Sequence, residues 1–275
     1  MKIAVAGLGL IGGSFAKAFK ENNNTLYCLD RSEETIARAR LEDAMDEHLT
    51  KENIGECDFI FVALYPKATE DFLREYAPFI SKEAIVIDCG GVKNEICKTG
   101  FEIAEEYGFR FIGGHPMAGT HFSGFKYARA SLFSGASMIL VPRRNETIET
   151  LENTKKLLVT AGFKSITIST AEEHDKIIAF TSQLAHVVSN AYVKSPNAKV
   201  HKGFSAGSYR DLTRVAKLNP SMWAELFMEN SENITFEIDN LIKELEKYSE
   251  AIKNGDREEL EKLLTEGTKI KESIG

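Results

Sequence analysis

A mainly parallel α/β sheet followed by an all-helical unit is the fold class the sequence predicts. Three observations carry it: a glycine-punctuated turn between the first strand and the first helix, strand and helix patterns that alternate as far as Ser169, and the end of that alternation from Ala171 onward. The corresponding division is a dinucleotide-binding, Rossmann-like unit over 1–169 and a helical substrate-binding and dimerisation unit over 170–275.

The first element is the short apolar strand of "KIAVAGLGLIGGSFAKAFK", which runs through Gly7-x-Gly9-x-x-Gly12 into a helix with apolar residues at helical spacing. Glycines at these positions permit a tight turn and let backbone N–H groups approach a pyrophosphate, whose charge also suits a helix N-terminus. The next strand, "TLYCLDR", ends in Asp30, 23 residues after Gly7, near the separation at which a carboxylate meets the ribose hydroxyls. That carboxylate repels a 2′-phosphate and favours NAD over NADP, while the adjacent Arg31 is a residue type that can serve a 2′-phosphate.

Further strands are expected at "DFIFVAL" (58–64), "AIVIDCG" (84–90), "FRFIGG" (109–114) and "ASMILV" (136–141), with helices between them. In a doubly wound sheet, ligands gather at the carboxyl ends of the strands. Tyr65-Pro66, Gly90 to Lys93 and His115 to Gly119 each follow a strand and are expected to share one crevice with the glycine loop. The expected neighbours of the cofactor are Gly7, Gly9, Leu10, Ile11, Gly12, Asp30 and Arg31, together with Leu64, Pro66 and Gly91. His115, in "GGHPMAGT", lies among small residues at such a strand end. With an ordinary pKa of about 6.5, a histidine there is suited to act as a base near neutral pH, with an acid limb expected within about one unit of that value.

After "ETIETLENTKKLLVTAG" and the strand "KSITIS", only helices are expected. "EEHDKIIAFTSQLAHVVSNAYV" is apolar almost all round, the pattern of a helix buried in a bundle or a subunit interface, and its Ser182 and His186 stand four apart on one face. They read either as satisfied polar groups of a helical core or as groups facing the crevice. Asp211 and Arg214, three apart, read as a local ion pair or as part of the site. Asn219-Pro220 starts a long helix carrying Trp223, and Asp256 with Glu259 starts the last one in a capping-box pattern.

Composition narrows the function classes. With 34 basic and 41 acidic residues, a net charge of -7 and no basic cluster, the chain lacks a nucleic-acid footprint, and an anionic small substrate would need local cations. The glycines interrupt the N-terminal apolar stretch, so neither a signal peptide nor a membrane span is expected, and a cytoplasmic location follows. Cys28, Cys57, Cys89 and Cys97 have no paired spacing and read as free thiols. The six histidines match no metal-site spacing, so no metal is expected.

Taken together, "GLGLIGGS", "DCGGVK", "GGHPMAGT", Leu132-Phe133, "HDKIIAFTSQLAH" and "YRDLTRVAKLNPSMW" resemble the prephenate and arogenate dehydrogenase family of tyrosine biosynthesis over nearly the whole chain. With neither a mutase extension before the dinucleotide unit nor room for a regulatory domain after the helices, the chain resembles the minimal, single-function type. The resemblance implies NAD-dependent oxidative decarboxylation of prephenate to 4-hydroxyphenylpyruvate, or of arogenate to tyrosine. It places the base at His115 and a carboxylate-binding arginine at Arg214. Ser182 and His186 match positions near the substrate side chain, and Asp211 and Trp223 match positions around the same pocket. It also implies a homodimer formed through the helical unit, which suits the apolar helix at 175–193.

One position departs from the family pattern. Where members carry a serine that hydrogen-bonds the catalytic histidine, this chain has Gly91, so either water or another hydroxyl such as that of Thr120 takes that place, or His115 is less well oriented. Two other classes share parts of the layout. A β-hydroxyacid or imine dehydrogenase would use a lysine or other acid on the helical unit, where the long helix offers Lys176 and Lys194. A non-catalytic NAD(H) sensor would keep the glycine loop and Asp30 without a base.

Overall fold

The computed structural model describes residues 1–120, 122–201, 203–204 and 206–275. Strands and helices alternate as β1 (Lys2–Ala6), α1 (Leu10–Glu21), β2 (Thr25–Leu29), α2 (Glu33–Leu41), β3 (Glu47–His48), β4 (Phe59–Val62), α3 (Pro66–Tyr76), β5 (Ile85–Asp88), α4 (Asn94–Tyr107), β6 (Arg110–Pro116), β7 (Ser137–Pro142), α5 (Ile148–Thr160) and β8 (Ser165–Ile168). They build one sheet of order β3-β2-β1-β4-β5-β6-β7-β8, parallel except where β6 meets β7. The strand order reverses between β1 and β4, the position at which such sheets open a ligand crevice. The two-residue β3 pairs only with Tyr27 and Cys28, too short to show any periodicity in sequence.

Strand residues alternate between two cores. Ile3, Val5, Phe59 and Phe61 face a cluster built around α1, in which Phe15 stacks against Phe19, Phe61, Phe133 and Phe163. Ala4, Ala6, Ile60 and Val62 face the other side, against Phe72, Leu73, Ile96 and Phe111. Burial on both faces accounts for the near-continuous apolar runs of these strands. The four cysteines are free, and burial pushes the Cys57 thiol up to about 12, so these are packing residues rather than nucleophiles.

From residue 171 the described chain is helical: α6 (Ala171–Ile178), a π-helical turn (Ala179–Leu184), α7 (Ala185–Tyr192), α8 (Gly207–Thr213), α9 (Pro220–Glu229), α10 (Ser231–Lys253) and α11 (Arg257–Ile274). Two expectations change here. The single helix expected over 175–193 is divided by the π turn, and the long helix begun at Asn219-Pro220 ends after ten residues. The second break has a physical cause. Buried Asn230 donates to the Asp175 carbonyl and to Gln183 Oε1, both at 2.8 Å, while the Gln183 amide donates to the Leu226 carbonyl. This polar knot pins the α9–α10 joint against the widened turn. The helix starts follow the sequence: Asn219 Oδ1 accepts from Met222 N–H, and Asp256 Oδ1 from Glu259 N–H. No helix among the described residues is long and apolar enough to cross a membrane.

Candidate active site

The glycine loop sits at the carboxyl end of β1. Gly7 adopts φ 89°, and a Cβ on it would lie 2.5 Å from the Ala63 carbonyl oxygen; a Cβ on Gly12 would lie 1.8 Å from the Gly7 carbonyl oxygen. These two glycines close the turn and seat α1 on the sheet. Gly9 differs, because a Cβ there would enter open space directly before the first turn of Leu10 and Ile11. That space, faced by the free N–H groups of the helix start, fits a pyrophosphate. Asp30 ends β2 with its Oδ2 accepting from Leu8 N–H at 2.8 Å and its Oδ1 from Ser32 N–H at 2.9 Å. The carboxylate is thereby fixed against the glycine loop, with a lone pair on each oxygen still available to ribose hydroxyls. Arg31 beside it is exposed. Leu64 packs against Gly7, and Pro66 opens α3. Leu64 and Pro66 line a small cavity with Asp88, Gly90 and Glu229, while the space beside Gly91 is bounded by Leu226 of α9. The helical unit therefore covers the edge that carries the glycine loop.

His115 lies within β6 rather than in a loop beyond it. Antiparallel pairing with β7 extends the strand through Pro116, with His115 opposite Ile139. The preceding glycines are required by close packing: a Cβ on Gly113 would lie 2.4 Å from Cys97 Sγ, and one on Gly114 2.4 Å from the Asp88 carbonyl oxygen. Asp88, at the end of β5, accepts from Gly90 N–H at 2.8 Å and Gly114 N–H at 3.0 Å, and pairs with the ammonium of fully buried Lys93. A buried lysine paired and enclosed in this way is a structural pin, and it places a fixed positive charge behind the crevice.

The His115 Nδ1 contacts His174 Nε2 at 2.9 Å, and His174 Nδ1 contacts Asp175 Oδ1 at 2.7 Å. Asp175 also accepts from the backbone N–H groups of Lys93 at 2.7 Å and Asn94 at 2.8 Å. His174 and Asp175 are both buried at the start of the helical unit, so this chain of contacts joins the unit to β6. Thr120, the hydroxyl expected to stand in for the missing serine, is instead engaged with the backbone of Phe122. Burial, and then the neighbouring His174 and Lys93, hold the His115 pKa well below the usual histidine value.

On the helical side, the His186 ring stacks on Trp223 with centroids 3.8 Å apart, and its Nδ1 donates to the Ser182 carbonyl at 2.9 Å. Ser182 lies in the π turn, a geometry that recurs at functional sites. Burial lowers the His186 pKa, the bond to Ser182 raises it, and the nearby Arg214 guanidinium lowers it again. Arg214 follows α8 and is exposed, as is Asp211. Among the described residues no ion pair joins the two, so Arg214 is not committed to the local pairing that their spacing allows. His186, Trp223 and Arg214 thus gather around one patch, with the Ser182 carbonyl behind them. His174, Asp175, Asp88 and Asn230 were not among the residues singled out by sequence reasoning. The first two stand in "HDKII", where nothing local distinguishes them from the solvated polar residues of a helix start.

Comparison with known proteins converges on the same chemistry. Residues 15–167 match the nucleotide-binding domain of prephenate dehydrogenase, and residues 170–266 match its dimerisation domain. The prephenate dehydrogenase of Lactococcus lactis is 33% identical over 282 residues, covering 99% of this chain and 77% of the relative. Among solved structures, prephenate dehydrogenase from A. aeolicus in complex with hydroxyphenyl propionate and NAD+ superposes with a TM-score of 0.86 at 28% identity, covering 100% of this chain and 98% of that one. Synechocystis arogenate dehydrogenase superposes with a TM-score of 0.82 at 28% identity over 100% of both chains. A nucleotide-binding sheet, a helical unit closing over its ligand edge, and two family models that together span most of the sequence lead to one conclusion: the chain belongs to the prephenate dehydrogenase family.

Proposed function

We propose that this dehydrogenase oxidises and decarboxylates a cyclohexadienyl substrate, prephenate or its amino counterpart arogenate, with NAD as cofactor in tyrosine biosynthesis. The observation that carries the reading is His115. Its Nδ1 is engaged by His174, no described residue bonds its Nε2, and its low pKa keeps the ring neutral at physiological pH. A neutral histidine with a free nitrogen, fixed on a strand of the sheet that carries the dinucleotide loop, is a ready acceptor for a hydroxyl proton.

The roles divide between the two units. Gly7, Gly9, Gly12 and the first turn at Leu10 and Ile11 hold the pyrophosphate, Asp30 holds the ribose, and Leu64, Pro66 and Gly91 flank the nicotinamide end. NAD, when bound, supplies the acceptor for the hydride leaving the ring carbon. His115 Nε2 takes the proton of the hydroxyl on that same carbon. Arg214 holds a substrate carboxylate with its fork of donors, which an acidic protein needs as a local attraction. Ser182, His186, Asp211 and Trp223 shape the pocket around it. Boundaries at 1–169 and 170–275 follow from this division of labour. The helical unit carries exposed apolar side chains, among them Phe180, Phe236, Ile242, Leu245 and Leu264, which support its pairing with a second copy.

The test is reduction of NAD or NADP with prephenate or arogenate, measured for all four combinations. Turnover with at least one substrate, faster with NAD, is expected. No turnover with either substrate would sink the proposal.

A further inference from the structure

We infer that His174 is a positioning residue that, backed by Asp175, forces His115 into the tautomer able to act as a base, and so does the work assigned in the family to the serine replaced here by Gly91. The inference rests on the reading of His115 as the base. Asp175 Oδ1 already accepts from Lys93 N–H, and as a carboxylate it accepts again from His174, so the His174 proton lies on Nδ1. The Nε2 of neutral His174 is then an acceptor. At 2.9 Å it accepts a hydrogen bond from His115 Nδ1–H, which leaves the unshared pair of His115 on Nε2.

The direction matters because a free neutral imidazole prefers its proton on Nε2, the arrangement that would block the base. A hydrogen bond to one ring nitrogen selects the tautomer of the other. When His115 Nε2 accepts the substrate proton, its O–H bond breaks and the new N–H bond makes the ring an imidazolium. Its Nδ1–H stays bonded to His174, whose own Nδ1 is held by the Asp175 carboxylate, a negative charge at the end of the same chain of contacts. A histidine oriented by a buried acceptor follows the logic of catalytic triads, here with one imidazole inserted between base and carboxylate. Gly91 is not needed for this: the nearest atoms to a Cβ placed there belong to Leu226, at 3.6 Å.

Two measurements test it. Nitrogen-15 spectra of the wild-type imidazoles should show His115 protonated on Nδ1 above its pKa. His174→Leu, which removes the acceptor, should shift His115 to the Nε2-protonated form and lower kcat by about 10- to 100-fold with little change in NAD affinity. His174→Gln, which restores an acceptor oxygen, should recover the Nδ1 form and most of the rate. Wild-type His115 found protonated on Nε2 would overturn the inference even where the leucine variant fails to fold, as would a folded His174→Leu with unchanged tautomer and kcat. Retention of kcat by His115→Asn would instead remove the base itself, a separate failure.

Discussion

The two histidines of the crevice differ in what holds them. His115 stands on a strand, bonded to a buried histidine that is itself bonded to a buried carboxylate. His186 stands after a π turn, stacked on Trp223 and, among the described residues, hydrogen-bonded to the Ser182 carbonyl one turn back. Burial lowers both pKa values, but only for His115 is the shift large. On the proposed reading, the contrast separates a rigid side that moves a proton from a more open side that admits a substrate. Rigid elements with locked side chains hold reacting groups in place, whereas binding surfaces tolerate adjustment.

Substitutions can break this contrast, and the largest effect belongs to the rigid side. His115→Asn keeps a polar side chain but accepts no proton, so kcat should fall by about 10²–10⁴-fold while NAD still binds, as checked by steady-state kinetics and cofactor titration. Arg214→Ala acts on the open side. Substrate KM should rise, with a loss of about 2–5 kcal/mol in kcat/KM where the substrate carboxylate is left buried without its partner, and NAD affinity should stay nearly constant. An arginine variant that lowers kcat alone would place Arg214 on the proton-moving side and erase the distinction.

Weaker effects sharpen it. Asp30→Ser should cost about tenfold to a hundredfold in NAD affinity and narrow the preference over NADP, measured by titration with both cofactors. Faster wild-type turnover with NADP would give the exposed Arg31 the larger part. Glu229, near the end of α9, has its pKa pushed up to about 7 by burial and then by Glu225 and Glu70, with Lys93 opposing. Its unfolded pKa is the lower one, so between the ordinary carboxylate range and about 7 the folded state holds the extra proton, and stability declines as pH rises through that window. Glu229→Gln should flatten that decline, read as Tm between about pH 5 and about pH 8. An unchanged slope would mean that Glu229 is solvated.

Much of the sheet was legible because its signals are local. Gly7 and Gly12 stand where a side chain has no room, Gly9 where it would enter open space before the first helix, and strands buried on both faces read as continuous apolar runs. The expectation that His115 lies beyond a strand end missed its place within β6, since the pairing that extends that strand comes from β7, more than twenty positions downstream. The His174–Asp175 support was harder to see. A histidine and an aspartate at a helix start look like solvated polar residues until the helix is packed against β6 and the Lys93 loop. The π turn and the break at Asn230 arise from a knot of side-chain amides and distant carbonyls, which no helical periodicity encodes. Sequence thus reported what each element is, and packing decided what supports the base.

The central claim is that His115 is a neutral base whose pKa lies below the ordinary histidine value. The most direct test is the pH dependence of kcat/KM for the wild type and for His115→Asn, with the substrate that turns over. The predicted result is a wild-type acid limb clearly below about 6.5 that disappears in the asparagine variant along with most of the rate. A limb at or above about 6.5, or the same limb surviving in a fast His115→Asn enzyme, would contradict it.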